Sequence, residues 1–172
     1  VSPLRECRRA IRQRAPEAAF DLDDVAALKQ CDMVEITAQG RSGGVRGVNR
    51  VHIDAKYCIH TDYARVEDSA AATAVGAPMV LCSNCPDGYN AGEERLFVLV
   101  SEAMRNSPAL NLGGLIENCA TDNAATRGAR AAVIDSFLGS LAQGRATRGS
   151  LGAAGLSDIW VTRYRWTVLP KD

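Results

Sequence analysis

From Val48 to Thr61 the chain alternates between two kinds of residue. Val51, Ile53, Ala55, Tyr57 and Ile59 hold one set of positions, and Arg50, His52, Asp54, Lys56, Cys58 and His60 hold the other. Side chains two apart on a strand share a side. The run therefore predicts one half-buried antiparallel strand with an apolar face and a wet face. A comparable pattern closes the chain over Ile159 to Leu169. There Trp160, Thr162, Tyr164, Trp166 and Val168 alternate with Val161, Arg163, Arg165 and Thr167, so the aromatic half is expected in the core. Met33 to Gln39 reads as a further strand. Gly40-Arg41-Ser42-Gly43-Gly44 would be the loop across which it pairs with Val48–Thr61. Met79 to Cys82 resembles a short buried strand, and Leu112 to Cys119 leads into another.

Helical spacing recurs between these strands. Ser2 and Pro3 form a capping start, after which Leu4, Cys7, Ile11 and Ala15 share a face opposite Arg5, Arg8, Arg9 and Arg12. Asp21 to Gln30 suggests a short helical turn. Asn90 with Glu93 suggests a capping box before the stripe Leu96, Leu99, Val100 and Ala103. Thr126 to Leu141 predicts a helix with Ala129, Val133, Phe137 and Leu141 on its apolar face. Gly144 to Gly155 reads as a flexible loop.

The elements add up to an α+β fold, an antiparallel sheet packed on one side by two or three helices. At 172 residues the chain fits a single domain over 1–172, with an inserted excursion at 120–157.

Charge narrows the function classes. Twenty basic residues balance twenty acidic ones, so direct nucleic acid contact is not favoured. Lysine occurs only at Lys29, Lys56 and Lys171. The arginine bias suits interfaces, where the guanidinium binds in a fork, although a GC-rich genome would give the same skew. No stretch reaches the about 20 apolar residues of a membrane helix. The N-terminus shows no apolar signal core, which reads as a cytoplasmic product.

Metal is the sharpest candidate chemistry. Cys82-Ser83-Asn84-Cys85 is a CxxC, and Cys58 with His60 puts a thiol and an imidazole on one strand face. Cys58, His60, Cys82 and Cys85 would make four tetrahedral zinc ligands. The competing expectation is that Cys7, Cys31, Cys58, Cys82, Cys85 and Cys119 are buried free thiols, with no cofactor bound. A redox CxxC is disfavoured because Pro86-Asp87-Gly88 makes a turn where a helix would be needed. No G-x-S-x-G elbow surrounds a serine, and the glycines at 40–44 lack a Walker lysine. Glu93 with Glu94, and Asp23 with Asp24, read as helix-start charges. No enzyme is expected.

Three passages carry a resemblance. They are the opening helix Leu4–Ala15, the stretch Leu96–Ile116 with its Asn106-Ser107-Pro108-Ala109-Leu110-Asn111-Leu112-Gly113-Gly114-Leu115 run, and the ending Leu156–Val168. In outline the chain resembles the tail terminators and other neck proteins of tailed bacteriophages. The cysteine content, the CxxC and the stretch from Ala120 to Gly155 depart from that pattern. The resemblance implies a virion protein assembled in the host cytoplasm. It would form a ring, usually a hexamer, that ends the tail tube and joins it to the head. Its partners would be copies of itself and other neck and tail-tube proteins. Arg5, Arg8, Arg9, Arg12, Arg145, Arg148, Arg163 and Arg165 are then the candidate subunit contacts. The alternative is a small zinc-binding α+β interaction module.

Overall fold

The computed structural model describes residues 27–29, 31–39, 44–67, 71–81, 92–102, 112, 123–142 and 159–169. Three long pairings organise them. Strand β4 (Arg46–Ile53) lies antiparallel to β5 (Ile59–Val66) on one side and to β8 (Gly92–Glu102) on the other. Strand β8 in turn pairs antiparallel with β9 (Ile159–Leu169). A short strand β1 (Ala27–Lys29) runs parallel to the end of β9, so the sheet order is β1-β9-β8-β4-β5.

Two small ladders complete the strands. β2 (Met33–Val34) pairs with β7 (Met79–Val80), and β3 (Thr37–Ala38) pairs with β6 (Thr73–Ala74). Their side chains cover one face of the large sheet. Val34 and Leu81 pack with Leu96, Trp166 and Val168, while Val75 packs with Val48 and Val66. Helix α1 (Ala124–Ala142) covers the opposite face, where Ala131 and Leu138 join Val51, Ile53, Ile59, Phe97 and Leu99. Asn123 starts the helix. Its side-chain oxygen accepts the Thr126 N–H at 2.9 Å, and its carbonyl accepts the Arg127 N–H at 3.1 Å.

This architecture overturns the expected α+β fold with two or three helices on one side of an antiparallel sheet. Strands dominate, and α1 is the one helix among the described residues. The largest single change is at 92–102, where the helical stripe Leu96, Leu99 and Val100 is a central strand. Leu96, Phe97, Val98, Leu99 and Val100 form an unbroken apolar run. Such a run fits a strand buried on both faces as well as a helix, and pairing on both sides decides it.

The Val48–Thr61 run is two strands and a turn. Asp54 makes the turn: its Oδ1 accepts the N–H groups of Lys56 and Cys58, each at 2.8 Å. Tyr57 takes the left-handed conformation (φ 63°), and its N–H bonds to the Asp54 carbonyl at 2.9 Å. No glycine marks this turn, so the alternation reads straight through it. Met33–Gln39 is also broken, into β2 and β3, and its partners lie at 73–80 instead of 48–61. Residues 27–29, expected in a helical turn, are strand β1.

The α1 helix forms as expected but turns a different face inward. Ala129, Val133 and Phe137 are exposed, whereas Ala131 and Leu138 are buried and Ile134 packs against them. On β9, Trp166 and Val168 are buried as expected, but Trp160 and Thr162 are exposed. The opening helix, the Gly144–Gly155 loop and almost all of Leu112–Cys119 lie outside the described residues.

Candidate functional site

The sheet face away from α1 carries a row of polar side chains across four strands. Arg50 and His52 come from β4, His60 and Asp62 from β5, Glu94 from β8 and Trp166 from β9. The row is set by register. His52 stands opposite His60, Arg50 opposite Asp62, and Glu94 opposite Trp166. The β2–β7 and β3–β6 ladders pack over the neighbouring apolar residues of that face, so Arg50, His52 and Glu94 are buried.

Burial of polar groups demands partners, and the row supplies them. Glu94 Oε2 accepts the Trp166 indole N–H at 3.1 Å and lies 3.0 Å from His52 Nε2. Arg50 donates through Nε to Asp62 at 3.0 Å and through Nη1 to the Ala77 carbonyl at 2.7 Å, while its Nη2 also bonds Asp62. Gly76 (φ +76°) passes so close that an added Cβ would lie 2.5 Å from the Asp62 side chain. The rings stack as well. His52 lies 5.7 Å from His60 and 5.9 Å from Trp166, centroid to centroid.

The exposed end of the row is His60, whose Nε2 is 3.3 Å from Asp54 Oδ2. Burial pushes the Asp54 carboxyl up. The bond and charge of His60 and the backbone N–H groups of Cys58 and Lys56 outweigh it, leaving the pKa below the ordinary carboxylate value. An imidazole held this way could accept a proton at its other nitrogen. Among the described residues, however, no hydroxyl or thiol bonds to either histidine. The row is an internally satisfied network more than an armed site.

Of the predicted metal set, only Cys58 and His60 lie among the described residues. Cys58 is disulfide-bonded, and an oxidised sulfur is no thiolate ligand. His60 is directed to Asp54. Cys82 and Cys85 lie outside the described residues. Among the described residues no group of three or more histidines, cysteines or carboxylates could hold a metal ion. The expectation of free thiols is likewise corrected, since Cys31 and Cys58 are both in disulfides.

Of the arginines expected at an interface, two are described. Arg163 turns inward, bonding Asp135 of α1 at 2.9 Å with its guanidinium over the Phe97 ring. Its Nε is buried without a partner. Arg165 is exposed and lies 3.5 Å from Glu93. Arg95 completes this second cluster, 2.8 Å from Glu93 and 3.4 Å from Asp135. Arg5, Arg8, Arg9, Arg12, Arg145 and Arg148 lie outside the described residues.

Sequence reasoning put Glu94 at a helix start and Arg50 and His52 on a wet face, so it missed the row. The usable signal was Asp54. An aspartate side chain bonds the backbone N–H two residues on and so favours a turn, and folding the run there brings His52 onto His60. No protein-family model, characterised protein or solved structure matches this chain. No helix among the described residues is long and apolar enough to cross a membrane.

Proposed function

We propose that this chain is a structural subunit that acts by packing against copies of itself, without turnover. One observation supports the reading most: beside the buried Ala131 and Leu138, helix α1 also leaves large apolar side chains outward. Asp135 points to Arg95 and Arg163, and Arg127 donates to the Lys56 carbonyl at 3.1 Å. Val133 and Phe137, one turn apart, are 69% and 46% exposed, with Ala129, Ala132 and Ser136 around them. The outer face of a surface helix is ordinarily polar, and a pair of exposed large apolar side chains one turn apart, beside the exposed Arg130, belongs at a contact.

The finer reading is a ring at the head–tail junction of a tailed phage that ends the tail tube and joins it to the head. That reading rests on the resemblance. The closing strand of the resemblance is present as β9, whereas the helix expected in Leu96–Ile116 is replaced by a strand as far as Glu102. The zinc-binding alternative requires Cys58 as a thiolate, whereas Cys58 is oxidised here.

Light scattering after size exclusion tests the reading. The expected result is a discrete multiple of 18.3 kDa, reduced to the monomer by Val133→Ser with Phe137→Ser while the circular dichroism spectrum is retained. A wild-type chain that stays monomeric at the highest attainable concentration, with or without neck and tail-tube partners, defeats it.

A further inference from the structure

On the α1 side of the sheet five charged side chains are linked in a line. Arg95 on β8 stands opposite Arg165 on β9, and Arg163, opposite Phe97, lies two residues along on the same face. Glu93 joins them from β8 and Asp135 from α1. The carboxylates bridge the arginines in turn. Glu93 Oε1 lies 3.5 Å from Arg165 Nε and 2.8 Å from Arg95 Nε. Asp135 lies 3.4 Å from Arg95 Nη1 and 2.9 Å from Arg163 Nη2. The line therefore begins and ends on a cation, with three positive groups against two negative ones.

Donors outnumber acceptors along it. Each guanidinium carries five N–H groups in a fixed fork. Among the described residues, Arg163 makes one side-chain hydrogen bond, to Asp135, and its Nε is buried without a partner. Arg165 has only its 3.5 Å approach to Glu93, and its side chain is half exposed. Guanidiniums short of acceptors beside solvent favour an oxyanion, which their forks match in shape and charge. A carboxylate ligand would repeat what Glu93 and Asp135 already do, each spanning two arginines. A phosphate group brings about −1.5 to −2 charge at neutral pH and three acceptor oxygens. It can offset the excess cation and still accept the idle N–H groups.

We propose that Arg95, Arg163 and Arg165 form a binding site for a tetrahedral oxyanion, phosphate or a phosphate group, entered from the exposed Arg165–Glu93 end. The anion competes with Glu93 for Arg165. The site goes beyond the assembly reading and holds for a monomer as well as for a ring.

The test titrates inorganic phosphate into the full chain, with sodium chloride at equal ionic strength as the reference. The arginine Nε–H resonances of Arg95 and Arg165 should move along one saturable curve, and Tm should rise by about 2–4 °C. Phosphate also stabilises folded chains in general through its exclusion from their surface, and that part does not saturate. Arg165→Gln, at a half-exposed position, should keep the fold and the general part while weakening the saturable binding about tenfold. Glu93→Gln removes the competing acceptor and should tighten binding about threefold. A network that only ties α1 to the sheet gives neither result, since both variants would then lower Tm and leave the response to phosphate unchanged. Resonances that do not move, or one binding curve shared by wild type and both variants, overturn the site. Light scattering reads the assembly and the titration reads the anion, so either can fail alone.

Discussion

The two faces of the large sheet are buried by different chemistry. Beneath α1, Val51, Ile53, Ile59, Phe97 and Leu99 form an apolar layer, with the Arg95, Arg163 and Asp135 cluster at its side. Beneath the β2–β7 and β3–β6 ladders, apolar residues flank a row in which Arg50, His52, Glu94 and Trp166 meet partners one by one. The apolar face gains from area and shape, which degrade gradually when a side chain shrinks. The polar face gains little net from each bond, yet leaving one partner unpaired exposes the full cost of burying it. The first face supplies bulk stability. The second specifies register, because a slip of one residue between β4 and β5 would separate Arg50 from Asp62, and one between β4 and β8 would separate His52 from Glu94.

Phe97→Ala should be the most damaging single change. Phe97 is fully buried beneath α1, and the cavity should cost about 4 kcal/mol in urea denaturation. On the polar face, Glu94→Leu keeps the volume but leaves the Trp166 N–H and His52 without their acceptor, at about 3 kcal/mol. The sharper distinction is coupling. Trp166→Phe should cost clearly less in the Glu94→Leu background than alone, by about 1 kcal/mol, while the same change should add independently to Phe97→Ala. Additivity in both pairs would mean that the polar row is not a network.

Gly76→Ala should cost roughly 2 kcal/mol, since the position is left-handed and the new methyl meets Asp62. The fall should shrink but not vanish when Asp62 is also shortened to alanine, since the Asp62 Cβ still lies 2.7 Å from the added methyl and the left-handed backbone cost remains. The smallest effect concerns acid. Asp54 has a lowered pKa, so it adds stability above the unfolded carboxylate pKa, and that contribution fades as the pH falls through its folded value. The hairpin should therefore weaken below about pH 4. Asp54→Asn should flatten that part of the stability–pH curve, read by thermal melts between neutral and acid pH, and a wild-type profile in the variant would locate the effect elsewhere.

The sites of error have a common physical cause. Periodicity reports what a segment could do alone, and Leu96 to Val100 could be helix or strand until β4 and β9 flank it. The Asp54 turn was hidden because its left-handed residue is Tyr57 and not glycine. The polar row was hidden because Arg50, His52 and Glu94 are ordinarily surface residues, and only the ladder residues brought from 33–38 and 73–80 bury them.

The sequence by itself determined the two-residue alternation at 48–61 and 159–169 and the helical propensity of 126–141, since these depend on side chains near in the chain. It also set a neutral overall charge and six cysteines available for oxidation. Tertiary structure decided that 92–102 is a central strand, that α1 buries Ala131 and Leu138 and leaves Val133 and Phe137 outward, and that Glu94 meets His52 and Trp166. Those outcomes depend on partners far away in the chain, 42 residues from His52 to Glu94 and 72 from Glu94 to Trp166. Local propensity carries no information about such partners. Burial and hydrogen-bond satisfaction, which do, exist only once the sheet has formed.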